Sequence, residues 1–288
     1  MDSFAHGVAI PNRPLRGQHA TMRSMHQVRS PDGTEIAYER RGHGPPLVMV
    51  HGSSLDHTRW GPSVVQLAER FTLLMMDRRG RGASGDGPVY SFEHEFEDVA
   101  AVADAAGGPV HLLGHSFGAV CAMEAARLTS AVDKMVLYEP PFPLGSPNPL
   151  FGPDMPERLD DLLRRGERDA LVEIFLREVV GVTDGELQAL RRSSSWGVRI
   201  MAAHTLPREV RMAEAYRFDP SRLAKVRAPT LLLLGTESPR LMHDSTMAAH
   251  AALQNSRVEL LPGQGHAAMT TAPKMFLAKV LAFLEADA

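Results

Sequence analysis

Val110-His111-Leu112-Leu113-Gly114-His115-Ser116-Phe117-Gly118-Ala119-Val120-Cys121-Ala122 decides the architecture of this chain. An apolar run breaks at Gly114, a serine follows two residues on, and small residues recur at Ala119, Ala122 and Ala125. The run reads as a strand buried on both faces, and the small residues as a helix lying close to the sheet. Gly114-His115-Ser116-Phe117-Gly118 then fits the G-x-S-x-G corner, which projects a serine hydroxyl above the sheet edge. The five-residue pattern is weak by itself and gains its weight from the flanking strand and helix.

Working outward, similar apolar runs occupy 46–50, 71–76, 134–138, 230–234 and 258–261, with helical patterns at 62–70, 92–106, 118–129 and 273–285. Strands alternating with helices predict an α/β fold, a mostly parallel central sheet flanked by helices. Gln27 to Arg29 and Thr34 to Arg41, around Pro31-Asp32-Gly33, predict a hairpin at its start. The alternation stops over 140–225, which opens with a proline-rich turn and continues as helical patterns. An all-helical insertion there is expected to form a lid over the carboxyl edge of the sheet, where ligands bind in such folds. The core domain is thus expected to comprise 25–139 and 226–288. Residues 1–24 carry Arg13, Arg16 and Arg23 without an apolar run of signal-peptide length, and are expected to form a flexible N-terminal extension.

Composition narrows the function classes. The 288 residues include 31 basic and 34 acidic side chains, a net charge of −3 that leaves no basic footprint for nucleic acid or membrane. The single cysteine, Cys121, excludes an intramolecular disulfide framework and any multi-cysteine metal site. No apolar stretch reaches membrane-spanning length, and a cytoplasmic protein is expected.

An elbow serine needs an oxyanion hole and a base. Phe117 follows Ser116 at a helix start, where backbone N–H groups are unpaired and the dipole favours anions. A second N–H is expected from the loop after 46–50, His51-Gly52-Ser53-Ser54, with Ser53 as the donor and Ser54 next to it, facing substrate. Of 13 histidines, His266 in the glycine-flanked stretch Pro262-Gly263-Gln264-Gly265-His266 follows the last strand and can reach back over the sheet edge. His115 is expected to point away from the serine. His51 belongs to the oxyanion loop, and His94, His204 and His250 read as surface or core residues.

The order of these segments resembles the α/β-hydrolase fold family. Asp77-Arg78-Arg79-Gly80-Arg81-Gly82-Ala83-Ser84 is similar to the family's D-x-x-G-x-G-x-S stretch. The resemblance covers 25–288 and implies a nucleophile–histidine–acid triad, here with Ser116 and His266. The family's usual acid position, three residues after the glycine ending the seventh strand, holds Ser238, with Glu237 one residue early. The family's other acid position, at the end of the sixth strand, holds Glu139 before Pro140-Pro141 and is favoured over Glu237. The expected activity is cofactor-independent, metal-free cleavage of a small, apolar ester or lactone through an acyl-enzyme. Carbon–carbon bond hydrolysis, acyl transfer, perhydrolysis and slow-turnover ligand reception or cyclase-like use of the pocket remain alternatives. Trp196, with Phe142, Phe175, Met201 and Met212, reads as substrate wall or as the insertion's own core. A homodimer is left open.

Overall fold

The computed structural model describes residues 24–145, 151–152 and 154–286. The first half contains β1 (Ser24–Arg29), β2 (Glu35–Gly42), β3 (Pro46–Val50), α1 (Ser63–Ala68), β4 (Thr72–Met76), α2 (Phe92–Asp104), β5 (Val110–His115), α3 (Phe117–Ala125) and β6 (Val132–Tyr138). Helices follow: α4 (Met155–Arg164), α5 (Arg168–Ile174), α6 (Asp184–Arg192), α7 (Ser195–Ala202), α8 (Leu206–Ala215) and α9 (Pro220–Leu223). The sheet resumes with β7 (Thr230–Gly235), α10 (Arg240–Ala252), β8 (Ser256–Leu261), α11 (Ala268–Thr271) and α12 (Pro273–Leu284).

One eight-stranded sheet runs in the order β1-β2-β4-β3-β5-β6-β7-β8. The β1–β2 hairpin is antiparallel, β2 joins β4 antiparallel, and every other pairing is parallel. The chain leaves β3 toward β4 on one side and returns to β5 on the other. This reversal opens a crevice at the carboxyl ends of β3 and β5, the place where such sheets receive ligands. The loop after β3 and the corner after β5 therefore meet there.

Strand alternation explains why the apolar runs are continuous. Val48, Val50, Leu74, Met76 and Leu112 enter a core shared with α2 and α3, whereas Leu47, Met49, Leu73, Met75 and Leu113 enter one shared with α12. Both faces of these strands are covered, so neither parity can be polar. All nine residues of α3 are buried, which accounts for its small, apolar sequence. The helical insertion has a third core, built on Met155, Leu159, Leu171, Phe175, Leu187 and Leu206.

Four helices escape the sequence reading, the single-turn α9 and α11 together with α7 and α10. In α7 only Arg199 and Ala202 are buried, too few for an apolar period, and α10 buries Met242 and Ala249 beside Ser245 and Thr246. The expected N-terminal extension lies outside the described residues except Ser24, which pairs with Arg40. Among the described residues no helix is long and apolar enough to cross a membrane.

Candidate active site

Ser116 sits at the corner between β5 and α3 with φ 56° and ψ −129°. For a side chain with a Cβ this left-handed region is strained, by about 1–3 kcal/mol. Hydrogen bonds hold it: Ser116 N–H donates to the Tyr138 carbonyl at 2.9 Å, and Ala119 N–H donates to the Ser116 carbonyl at 2.7 Å. The flanking glycines let the backbones close up. A Cβ at Gly114 would lie 2.6 Å from Ala119 Cα, and one at Gly118 would lie 2.3 Å from the carbonyl oxygens of Val50 and His51. Among the described residues, Ser54, Ser116 and Glu139 are the non-glycine positions with positive φ. All three belong to this site.

The loop after β3 abuts the corner, since a Cβ at Gly52 would come within 3.0 Å of Ser116 Cβ. His51, fully buried, fixes that loop. Its Nδ1–H donates to the Gly52 carbonyl at 2.7 Å, and its Nε2 accepts from the Arg78 N–H at 3.2 Å. Burial, with the charges of Arg78 and Arg81, holds its pKa well below the ordinary histidine value, so the ring stays neutral. Ser53 is half-buried beyond Gly52, and Phe117 opens α3, where its N–H has no partner inside the helix. The two residues expected to supply oxyanion donors are therefore near Ser116 in the fold, Phe117 next to it in the chain and Ser53 next to Gly52.

His266 lies in the loop after β8, and its Nδ1 donates to Glu139 Oε2 at 2.5 Å. With Nδ1 so engaged, Nε2 is the nitrogen free to exchange a proton. Glu139 is fully buried at the tip of β6, and its φ of 49° turns the side chain toward β7. There Oε1 accepts from the Gly235 N–H at 2.7 Å and the Ser238 hydroxyl at 2.6 Å. Ser238, in the position where the family commonly has its acid, thus hydrogen-bonds the carboxylate that reaches His266. Glu237 is exposed and accepts from the Thr236 hydroxyl at 3.2 Å.

Two supporting residues went unrecognised in the sequence. The Tyr138 hydroxyl donates to the Gly265 carbonyl and accepts from the Ala268 N–H at 3.1 Å, gripping the His266 loop from both sides. His115 donates from Nε2 to the His266 carbonyl at 2.9 Å, with the two rings 4.7 Å apart. It therefore turns into the site's support rather than simply away from the serine. Neither residue type carries a spacing signal for such a role. Trp196, read as substrate wall or as insertion core, packs against the insertion's core, donates from its indole to Asp169 at 2.9 Å and stacks under Arg191. Its neighbour on α7, Arg199, is the residue that reaches the oxyanion loop, donating to Ser54 Oγ at 2.5 Å.

The Asp77–Ser84 stretch is scaffolding for this edge. Asp77 accepts from the Ala83 and His57 N–H groups, each at 2.9 Å, and Ser84 Oγ donates to the Asp77 carbonyl at 2.6 Å. Asp56, His57 and Asp77 bring ligand atoms within 4.8 Å of one another, the one metal-sized cluster among the described residues. These groups are already engaged: His57 Nδ1 donates to Asp77 at 2.7 Å, and Asp56 caps the turn through Thr58. Arg78 lies 4.3 Å from the centre of the Phe117 ring and pairs with Glu95 and, from α8, Glu209. The insertion is thereby tied to the elbow from beneath.

Residues 47–279 match the alpha/beta hydrolase family. The chain belongs to that family. An alpha/beta hydrolase from Sphaerobacter thermophilus superposes with a TM-score of 0.80 and 35% identity, covering 90% of this chain and all of that one. The esterase RhEst1 from Rhodococcus sp. ECU1013 superposes with a TM-score of 0.68 and 25% identity over 91% of this chain and 99% of its own. The probable oxidoreductase EphD of Mycobacterium tuberculosis is 37% identical over 126 residues. That match takes in 41% of this chain and only 21% of EphD, about a fifth of its length. Membership of the alpha/beta hydrolases thus rests on most of the chain, whereas the likeness to EphD is local.

Proposed function

We propose that this hydrolase cleaves a carboxylic ester or lactone through an acyl-enzyme on Ser116, with His266 as base and Glu139 as the triad acid. The reading is carried by one observation, the buried Glu139 carboxylate 2.5 Å from His266 Nδ1 under a strained elbow serine. In the first half-reaction Ser116 Oγ attacks the carbonyl carbon and its proton passes to His266 Nε2. The oxyanion is held by the N–H groups of Phe117 and Ser53, a contribution of ~3 kcal/mol from such a donor. The alcohol departs with the proton from His266. Water then gives a proton to His266 as it attacks the acyl carbon, and His266 passes that proton to Ser116 Oγ as the acid is released. Glu139 keeps the imidazole in the right tautomer and stabilises its cation. No step calls for a cofactor. The insertion acts as a lid, since Arg199 touches the oxyanion loop and Glu209 pairs with Arg78 under the elbow. The esterase RhEst1 lends support at the level of reaction class.

The test is intact-mass detection of a fluorophosphonate adduct, followed by turnover of p-nitrophenyl esters. Ser116→Ala is expected to abolish both, and Glu139→Gln to lower turnover by about ten-thousand-fold with the fold intact. Glu237→Gln is expected to change turnover far less. Labelling that persists in Ser116→Ala, or a crippling Glu237→Gln, overturns the assignment.

A further inference from the structure

Two arginines beside the oxyanion loop lack any carboxylate partner. Arg199, 6% exposed, donates from one terminal nitrogen to Ser54 Oγ, while its Nε is buried with no acceptor. Arg59, half-buried two residues beyond His57, donates to Thr270 Oγ1 and contacts Met269 Sδ, each at 3.0 Å. Its Nε is likewise buried without an acceptor. No ion pair involves either residue among the described residues. Burial pushes the Arg199 guanidinium down to about 9, with the Arg59 charge adding to the effect, and burial pushes Arg59 down to about 10. Both groups therefore remain cationic at neutral pH, with no carboxylate paired to either among the described residues.

Their location is as telling as their isolation. Arg59 bridges from the loop after β3 to α11, directly after His266, and Arg199 bridges from the insertion to Ser54. Ser54 follows Gly52 by two residues, at most about 7 Å along the chain, and Gly52 abuts Ser116. A guanidinium that meets only hydroxyls or a thioether, with its Nε–H left without an acceptor, is matched in shape and charge by a carboxylate.

We propose that Arg199 and Arg59 form an anion subsite and that the substrate's acyl part ends in a carboxylate a few methylenes from the scissile carbonyl. This specifies the substrate class for the hydrolase reading above and rests on it for turnover. It departs from the apolar substrate expected from the sequence. A carboxylate there places one negative charge between two unpaired cations, and its spacing from the carbonyl selects chain length.

The experiment pairs turnover with a binding measurement that needs none. Mono-p-nitrophenyl glutarate and neutral p-nitrophenyl butyrate are compared by kcat/KM for the full chain, Arg199→Met and Arg59→Met. The ratio of anionic to neutral kcat/KM is expected to fall about a hundredfold in each variant, mainly through KM for the glutarate ester. A structural role alone would lower both esters together and leave the ratio unchanged, which overturns the proposal. In parallel, Ser116→Ala is melted at constant ionic strength with glutaramate, with uncharged glutaramide and with inorganic phosphate. Glutaramate is expected to raise Tm, glutaramide is not, and adding Arg199→Met is expected to remove the rise. Stabilisation by phosphate without stabilisation by glutaramate overturns the carboxylate assignment. Glutaramate stabilisation without turnover of either ester overturns the hydrolase reading and supports the anion subsite.

Discussion

Two groups of buried or half-buried arginines lie on this sheet edge, and they are treated in opposite ways. Arg78, Arg79 and Arg81 follow β4 and are buried among carboxylates: Glu95 and Glu209 for Arg78 and Arg81, Asp98 and Asp32 for Arg79. Burial by itself would lower Arg78 and Arg79, yet these carboxylates raise both above the ordinary arginine value. Arg59 and Arg199 meet hydroxyls and a thioether, and burial lowers both. A buried charge is stable only when paired, because removal from water costs several kcal/mol per ion. The first group is structural, locking α2 and α8 to the elbow. The second meets no carboxylate among the described residues.

The largest effect that tests this contrast is expected on the paired side. Glu95→Gln strips the partner from Arg78, to which Glu95 is bidentate at 2.7 and 2.9 Å, and should cost about 3–5 kcal/mol in denaturant unfolding. The same carboxylate gives the contrast a pH signature. Burial would raise the Glu95 pKa, but Arg78 and Arg81 overcome it and leave the group below its ordinary value. A depressed acid adds stability above its unfolded pKa of about 4.3, and that stability is lost as pH falls through the lower folded value. The wild-type chain should therefore lose stability on the acid side more steeply than Glu95→Gln does.

On the open side the sign reverses. Arg199→Met replaces an unpaired buried cation with an apolar chain and should stabilise the protein by about 1–3 kcal/mol, read as a rise in Tm. A fall of that size would mean that Ser54 alone satisfies Arg199 and would erase the contrast. The smallest effect belongs to a pair in water: Arg158 and Glu178, both exposed on the insertion. Arg158→Ala should cost less than about 1 kcal/mol, despite a bidentate geometry as good as that of Arg78 with Glu95. A cost equal to that of Glu95→Gln would show that burial is not what separates these pairs.

What could be seen in the sequence was whatever is local. The runs at 46–50, 110–113 and 230–234 announce strands because a strand covered on both faces has no polar parity, and the structure gives β3, β5 and β7 there. Gly114 and Gly118 mark the elbow because contacts with Ala119 and His51 leave no room for a Cβ. His266 stood out by position alone, as a glycine-flanked residue after the last strand. The helix α7 stayed hidden because its buried face is Arg199 and Ala202, with no apolar period to detect.

Tertiary structure decided the partnerships. Glu139 and Glu237 are each adjacent to a strand end in the sequence. The Glu139 φ of 49°, with donors from Gly235 and Ser238, sets its carboxylate against His266, while Glu237 faces solvent. The grip of Tyr138 and His115 on the His266 loop spans more than a hundred residues of chain, so no local pattern records it. Which arginines find carboxylates also depends on the meeting of segments far apart, Arg78 with Glu209 and Arg199 with Ser54. Sequence determined the elements and the serine corner because hydrophobic period and backbone sterics act over a few residues. Charge pairing and proton-transfer geometry act through space: the family resemblance pointed to Glu139, but the contacts that hold its carboxylate against His266 exist only in the folded chain.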